Sequence, residues 1–122
     1  MTVLALGNLA AKVEDLDASL GFYSRLGAAV AQPVRWWGAR RADVALGPLE
    51  LTLFERAVYE DPARPLPPGF LHAALFVDDL GTSLAGIEPS WGPEVVEGHF
   101  GRRRIAFLEA PGLRLEFMED LG

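Results

Sequence analysis

The second half of this chain repeats the first. The segment "NLAAKVEDLDASL" (8–20) aligns with "HAALFVDDLGTSL" (72–84) at an offset of 64, so that Ala10 meets Ala74, Val13 meets Val77, Asp15 meets Asp79 and Leu16 meets Leu80. Ser19 and Leu20 fall on Ser83 and Leu84 in the same alignment. A second echo closes each half, where "VALGPLELTLFE" (44–55) answers "IAFLEAPGLRLEFMED" (105–120). There the turn Gly47-Pro48 corresponds to Pro111-Gly112 and Glu50 to Glu116, at an offset of 66 that fits a second hairpin two residues longer. Self-similarity at such a period implies two copies of one supersecondary unit. With 122 residues, half of them hydrophobic, the chain can bury a core in that arrangement as a single domain.

Each copy reads as a strand, a helix and further strands. Residues 8–14 alternate as a strand does, and Asp15 can cap a helix whose apolar positions Leu16, Leu20, Tyr23 and Leu26 recur at helical spacing before Gly27 stops it. The rest of the first copy reads as strands broken at Gly38 and at Gly47-Pro48. The second copy predicts a helix from about Leu80 to Ile87, ended by Pro89, then strands near 94–99, 103–109 and 113–119. The expected boundaries are about 1–56 for the first module, 57–69 for a connector rich in proline (Pro62, Pro65, Pro67, Pro68), and about 70–122 for the second. Such a connector reads as an extended, stiff spacer that joins the halves side by side or passes one half to a neighbouring chain.

Composition narrows the chemistry. Without cysteine there is no disulfide, thiolate nucleophile or thiolate metal site, so any metal must be held by nitrogen and oxygen ligands. A net charge of −6 argues against nucleic acid as a partner. The basic runs Arg40-Arg41 and Arg102-Arg103-Arg104 read first as solvated hairpin charges and, alternatively, as a grip on an anionic substrate. The first residues lack the pattern of a signal peptide and no apolar stretch reaches membrane-spanning length, which makes a cytoplasmic protein the expectation.

The segments "VEDLDASLGFYSRLG", "HAALFVDDL", "LELTLFE" and "APGLRLEFME" resemble the vicinal oxygen chelate superfamily, which includes glyoxalase I, bleomycin-resistance proteins, extradiol dioxygenases and related epimerases. The resemblance covers nearly the whole chain. It implies an α+β fold of two βαβββ modules forming a cupped mixed sheet with helices on the convex side, a small-molecule site in the hollow, and a homodimer. Strand alternation is consistent with that. Leu9, Ala11, Val13, Leu51, Leu53, Ala73, Leu75, Val77, Leu115 and Phe117 form one apolar set, suited to packing against helices. The opposite set comprises Asn8, Ala10, Lys12, Glu50, Thr52, Phe54, His72, Ala74, Phe76, Arg114, Glu116 and Met118, a mixture suited to lining a cavity.

In the metal-dependent members of that superfamily, the ligands stand at positions matching Asn8, Glu50, His72 and Glu116. Three agree with the histidine–glutamate–histidine–glutamate set of glyoxalase I; Asn8 departs, offering a neutral amide oxygen that binds zinc or nickel far less well than imidazole. The resemblance therefore implies one divalent ion (Zn, Ni, Mn or Fe) on Glu50, His72 and Glu116, with Glu116 or Glu50 as base. Lys12, Thr52, Phe54, Phe76, Trp37, Arg114 and Met118 would line the substrate site. A plainer reading has the glutamates paired with Arg114 or Arg104 and His72 hydrogen-bonded to one of them. The function implied is a glyoxalase-like lyase or isomerase on a small oxygenated molecule. The rival is a metal-free binding protein of the bleomycin-resistance type, in which aromatic residues among Trp36, Trp37, Phe54, Phe76, Trp91 and Phe100 sandwich a planar ligand. Of the adjacent Trp36 and Trp37 only one can face the hollow, and His99 reads as surface.

Overall fold

A computed structural model describes residues 3–122. The chain divides into two compact units, Asn8–Leu71, and His72–Gly122 together with the N-terminal residues through Gly7. Both are α+β. The strand β1 (Val3–Lys12) runs from one unit into the other.

In the unit Asn8–Leu71, β1 is followed by α1 (Leu16–Arg25), β2 (Ala29–Val30), β3 (Val34–Trp36), β4 (Ala39–Leu46) and β5 (Leu49–Phe54). The strand order is β2-β4-β5-β1, with β3 also on β4. β1 and β5 run parallel and β4 and β5 antiparallel. Asp15 caps α1 by accepting from the Ala18 N–H at 2.9 Å, and Gly27 ends it with a φ of 88°. The helix buries Leu16 and Leu20 against Ala42, Val44, Leu51 and Leu53, with Leu9, Ala11 and Val13 beside them.

The other unit repeats the plan with β6 (Gly69–Val77), α2 (Leu80–Ser83), β7 (Trp91–Gly98), β8 (Gly101–Ala110) and β9 (Leu113–Asp120). The order is β6-β9-β8-β7, parallel between β6 and β9 and antiparallel elsewhere. Val77, Leu80, Ala106, Leu108 and Phe117 form its core, with Leu75, Leu84 and Leu115 packed alongside. In both units the apolar set chosen by alternation is the one that meets the helix. The second helix is shorter than its sequence predicts, ending at Ser83 instead of near Ile87. Gly81, Thr82 and Ser83 are weak helix formers, and Gly86 adopts a left-handed φ of 77°. Its start is held from outside by Glu119, whose Oε1 accepts from the Leu80 N–H at 2.8 Å. Among the described residues no helix is long and apolar enough to cross a membrane.

The connector is folded onto the unit Asn8–Leu71, not held out as a spacer. Ala57 is buried in a cluster with Ala10, Phe54 and Leu71. The Glu60 side chain, 1% exposed, accepts from the Ala57 and Leu66 N–H groups and pairs with Lys12 Nζ, itself on a side chain only 11% exposed. Burial pushes the Glu60 carboxyl up, but the bonds from Lys12 and the two backbone N–H groups outweigh it and hold the pKa below the ordinary 4.5. Stabilisation from this carboxylate is therefore complete above that ordinary value and is lost as pH falls through the lower folded value. Breaking one side of a buried ion pair leaves an uncompensated charge, so Lys12→Met should cost about 3–5 kcal/mol in urea unfolding at neutral pH. The same titration repeated at acidic pH should show that difference shrinking, as Glu60 takes up a proton in both proteins.

Candidate active site

The chemically suited groups gather on the face of the second unit's sheet that turns away from α2. His72, Ala74 and Phe76 alternate onto that face from β6, and Glu116 and Met118 from β9, with Ala74 level with Glu116 and Phe76 level with Met118. β8 contributes Phe107 opposite Glu116 and Ile105 opposite Met118. His72 Nε2 lies 3.2 Å from Glu116 Oε1, with the two side chains 3% and 12% exposed. Phe107 stands edge-on to the imidazole at 4.9 Å between centroids, and Trp91 edge-on to Phe107 at 5.7 Å. A bulge aims Trp91 at this wall. The β7–β8 register shifts between Trp91 and Glu94, where Gly92 has a φ of 85° and a Cβ would come within 2.7 Å of the Ile105 carbonyl oxygen.

One row further along, the Arg103 guanidinium lies over the Phe76 and Phe100 rings, 4.9 and 4.3 Å from their centroids, and Nη1 is 3.5 Å from Met118 Sδ. Gly7 permits β1 to lie close here, since a Cβ would meet Met118 Cε at 2.5 Å and Phe76 Cε2 at 3.1 Å. His99 is an exposed turn residue stacked edge-on to Phe100.

The equivalent face of the unit Asn8–Leu71 is tied up internally. Asn8 Nδ2 donates to Thr52 Oγ1 at 3.0 Å, Thr52 donates to Asp43 Oδ1 at 3.2 Å, and Arg41 Nη2 donates to the same oxygen at 3.1 Å. Arg41 is buried, its guanidinium stacked over Trp36 and Phe54 at 4.9 and 5.0 Å. Glu50, level with Ala45, is exposed.

The sequence-derived candidates thus part company. His72 and Glu116 are brought together, with Phe76 and Met118 in the next row. Thr52 and Phe54 are buried in the Asn8–Arg41 network. Lys12 is committed to Glu60, which sequence alternation could not foresee because the connector folds back. Arg114 Nε pairs with Glu109 at 2.7 Å across the hairpin. Of the two adjacent tryptophans, Trp36 is the one that meets the Arg41 guanidinium. Trp37 occupies the turn between β3 and β4 with a φ of 51° and is 47% exposed, so it is not on a strand at all. Sequence reading passed over Asp43 and Phe107 and weighed Arg41 and Arg103 only as members of basic runs; counting back through each hairpin turn from Glu50 or Glu116 would have put all four on the polar face.

A divalent ion fits this donor set poorly. Among the described residues no three histidine, aspartate or glutamate side chains gather as ligands. The assembled donors are one imidazole and one carboxylate, fewer than the three protein ligands of a catalytic zinc site, and Asn8 is engaged with Thr52.

Neither a family model nor a curated protein matches the sequence. Solved structures do match in fold. A hypothetical protein from Bacillus halodurans C-125 superimposes with a TM-score of 0.72 at 23% identity, over 96% of this chain and 94% of that one. Methylmalonyl-CoA epimerase from Mycobacterium tuberculosis gives 0.72 at 22% identity, over 98% and 90%. A glyoxalase I mutant from Zea mays gives 0.66 at 19%, over 98% of this chain but 45% of that one. At these identities the likeness establishes the fold, that of the vicinal oxygen chelate proteins, as the sequence implied.

The donor count makes a direct prediction. Zinc, nickel or manganese titrated into the purified protein should give no stoichiometric tight binding by calorimetry. One equivalent retained through dialysis, and lost in His72→Ala, would overturn this reading of the site.

Proposed function

We propose that the protein is an isomerase or epimerase of a small carbonyl compound, working by proton transfer at Glu116 with His72 beside it. The observation that carries this is the His72–Glu116 pair, 3.2 Å apart and nearly enclosed by Phe107 and its neighbours. Glu116 is the more accessible member and takes the proton from the carbon next to the carbonyl. As its carboxylate becomes neutral it is a weaker acceptor, and the His72 Nε2–H turns to the oxygen on which enolate charge has appeared. Returning the proton to the neighbouring carbon gives an isomer; an epimer results when the enolate turns its other face to Glu116 before the proton is returned to the same carbon. Positioned acid–base groups of this kind contribute about 10²–10⁴-fold to rate. The reading is supported by the fold shared with an epimerase and with glyoxalase I. The metal-assisted variant is disfavoured by the donor count.

A second reading, a metal-free binding protein, draws support from the aromatic rings of Trp91, Phe107, Phe76 and Phe100 in the same unit. Proton NMR in D2O separates the two. Incubated with methylmalonyl-CoA and a set of α-hydroxy carbonyl compounds, the enzyme should exchange the proton next to the carbonyl of at least one. Glu116→Gln should slow that exchange by about 10²–10⁴-fold. Tight uptake of an aromatic compound, with no exchange in any substrate, would favour binding instead.

A further inference from the structure

We propose that Phe107 is a positioning residue of this site: its ring sets the plane of the His72 imidazole, and with it the direction in which Nε2 faces. The inference deepens the isomerase reading and rests on it only for what the His72–Glu116 pair does, not for how the pair is held.

The contact between His72 Nε2 and Glu116 Oε1 at 3.2 Å fixes one atom of the imidazole and leaves its plane open. The ring turns about its Cβ–Cγ bond on a broad, roughly two-fold torsion, and a polar contact of this length tolerates misalignment of roughly 30° before it weakens. Phe107 removes that freedom. Its ring meets the imidazole at an interplanar angle of 77° with the centroids 4.9 Å apart, and an edge-to-face contact is lost as either plane rotates away. A half-turn would keep the plane but put Cε1 where Nε2 stands. Phe107 therefore chooses the plane, and Glu116 chooses the edge that is presented. At 2% exposure Phe107 is closed to solvent, so it acts through the imidazole.

Phe107 is itself held on two sides. Trp91 is its partner across the β7–β8 ladder and stands edge-on to it, 5.7 Å away at 74°. The Phe107 carbonyl oxygen accepts from the Ser90 N–H at 2.8 Å and from the Ser90 hydroxyl at 3.2 Å, which anchors the backbone beneath the ring. A side chain locked by its own neighbours can in turn lock the group that it touches.

The internal repeat offers the comparison. At the place of His72 the first copy has Asn8, oriented by the bond from its Nδ2 to Thr52 Oγ1 at 3.0 Å, and at the place of Phe107 it has Ala45. The second copy has Met118 at the place of Thr52, and a thioether is only a weak acceptor. Where a hydroxyl orients the polar group a methyl suffices opposite; where the hydroxyl is missing, a ring takes over the task. The orientation matters at the step in which the imidazole meets the developing enolate oxygen, since a misplacement of about 1 Å there costs on the order of 10²-fold in rate.

Nuclear magnetic resonance of the uniformly 15N,13C-labelled full chain tests this, with His72→Gln separating the His72 signals from those of the second histidine, His99. In the wild type the His72 ring protons should be displaced by the Phe107 ring current, give one sharp set of signals, and show an Overhauser contact to the Glu116 side chain. In Phe107→Leu, and in Phe107→Met as a second variant that fills the space without a ring, this contact should weaken severalfold and the imidazole signals should broaden or double. Thermal melts by circular dichroism confirm that each variant is folded. With methylmalonyl-CoA as the probe in D2O, Phe107→Leu should lower kcat for exchange by about tenfold and leave KM within about twofold. Lost stability alone would change neither the Overhauser contact nor kcat per folded molecule. The proposal is overturned if wild-type His72 shows no ring-current displacement, or if a folded Phe107→Leu or Phe107→Met keeps the wild-type contact and sharp signals. It is also overturned if exchange proceeds in Phe107→Leu with the wild-type kcat. Absent exchange, with the imidazole signals still dependent on Phe107, would be a failure of the isomerase reading alone.

Discussion

Helix burial governs both faces of each sheet. A strand with period two that gives one row of side chains to a helix must send the next row to the opposite side. Once Leu16 and Leu20 claim Leu51 and Leu53, and Leu80 claims Val77 and Phe117, the places of Thr52, His72 and Glu116 follow. Parallel pairing of the first and last strands of each copy then sets the level, putting Glu116 beside Ala74, one step from His72 along β6. The same constraint sorts the basic runs. Arg40 turns outward to Glu55 at 3.0 Å and to Asp17 at 3.3 Å, while Arg41 turns to the rings. Adjacent charges in sequence thereby serve unrelated purposes, one solvated and one structural.

The two copies have used one framework differently. Position for position, Asn8 answers His72, Glu50 answers Glu116, Asp43 answers Ile105 and Arg41 answers Arg103. In the first copy a chain of hydrogen bonds runs from Asn8 through Thr52 and Asp43 to Arg41. Buried polar groups that satisfy one another make a rigid wall, and little chemistry is left in them. In the second, Met118 and Ile105 replace Thr52 and Asp43, so no such chain can form, and the imidazole and carboxylate meet each other instead.

The repeat, the Asp15 and Asp79 caps and the apolar row were legible because each depends on residues a few places apart. Alternation also placed His72 and Glu116 on one face correctly. What escaped depends on distant or irregular contacts. Lys12 looked available for substrate until the connector brought Glu60 to it. Trp37 looked like a strand residue because nothing in "RWWGARR" reveals that the turn begins one residue before Gly38. The second helix was overextended because Leu84 and Ile87 continue the apolar spacing, and the spacing says nothing about the left-handed φ at Gly86. The metal expectation rested on a ligand set carried over by resemblance, with Asn8 named from the start as its departure.

Two glutamates at equivalent places illustrate why position alone does not confer chemistry. Glu50 is the second residue after its hairpin turn and Glu116 the fourth after the longer one, opposite Ala45 and Phe107 respectively. Alanine leaves Glu50 open to water, where its charge is screened and its side chain is unconstrained. The ring at Phe107 closes over both His72 and the approach to Glu116, and interactions between charged groups strengthen as water is excluded. The difference between an ordinary surface carboxylate and a candidate base therefore resides in the residue across the ladder.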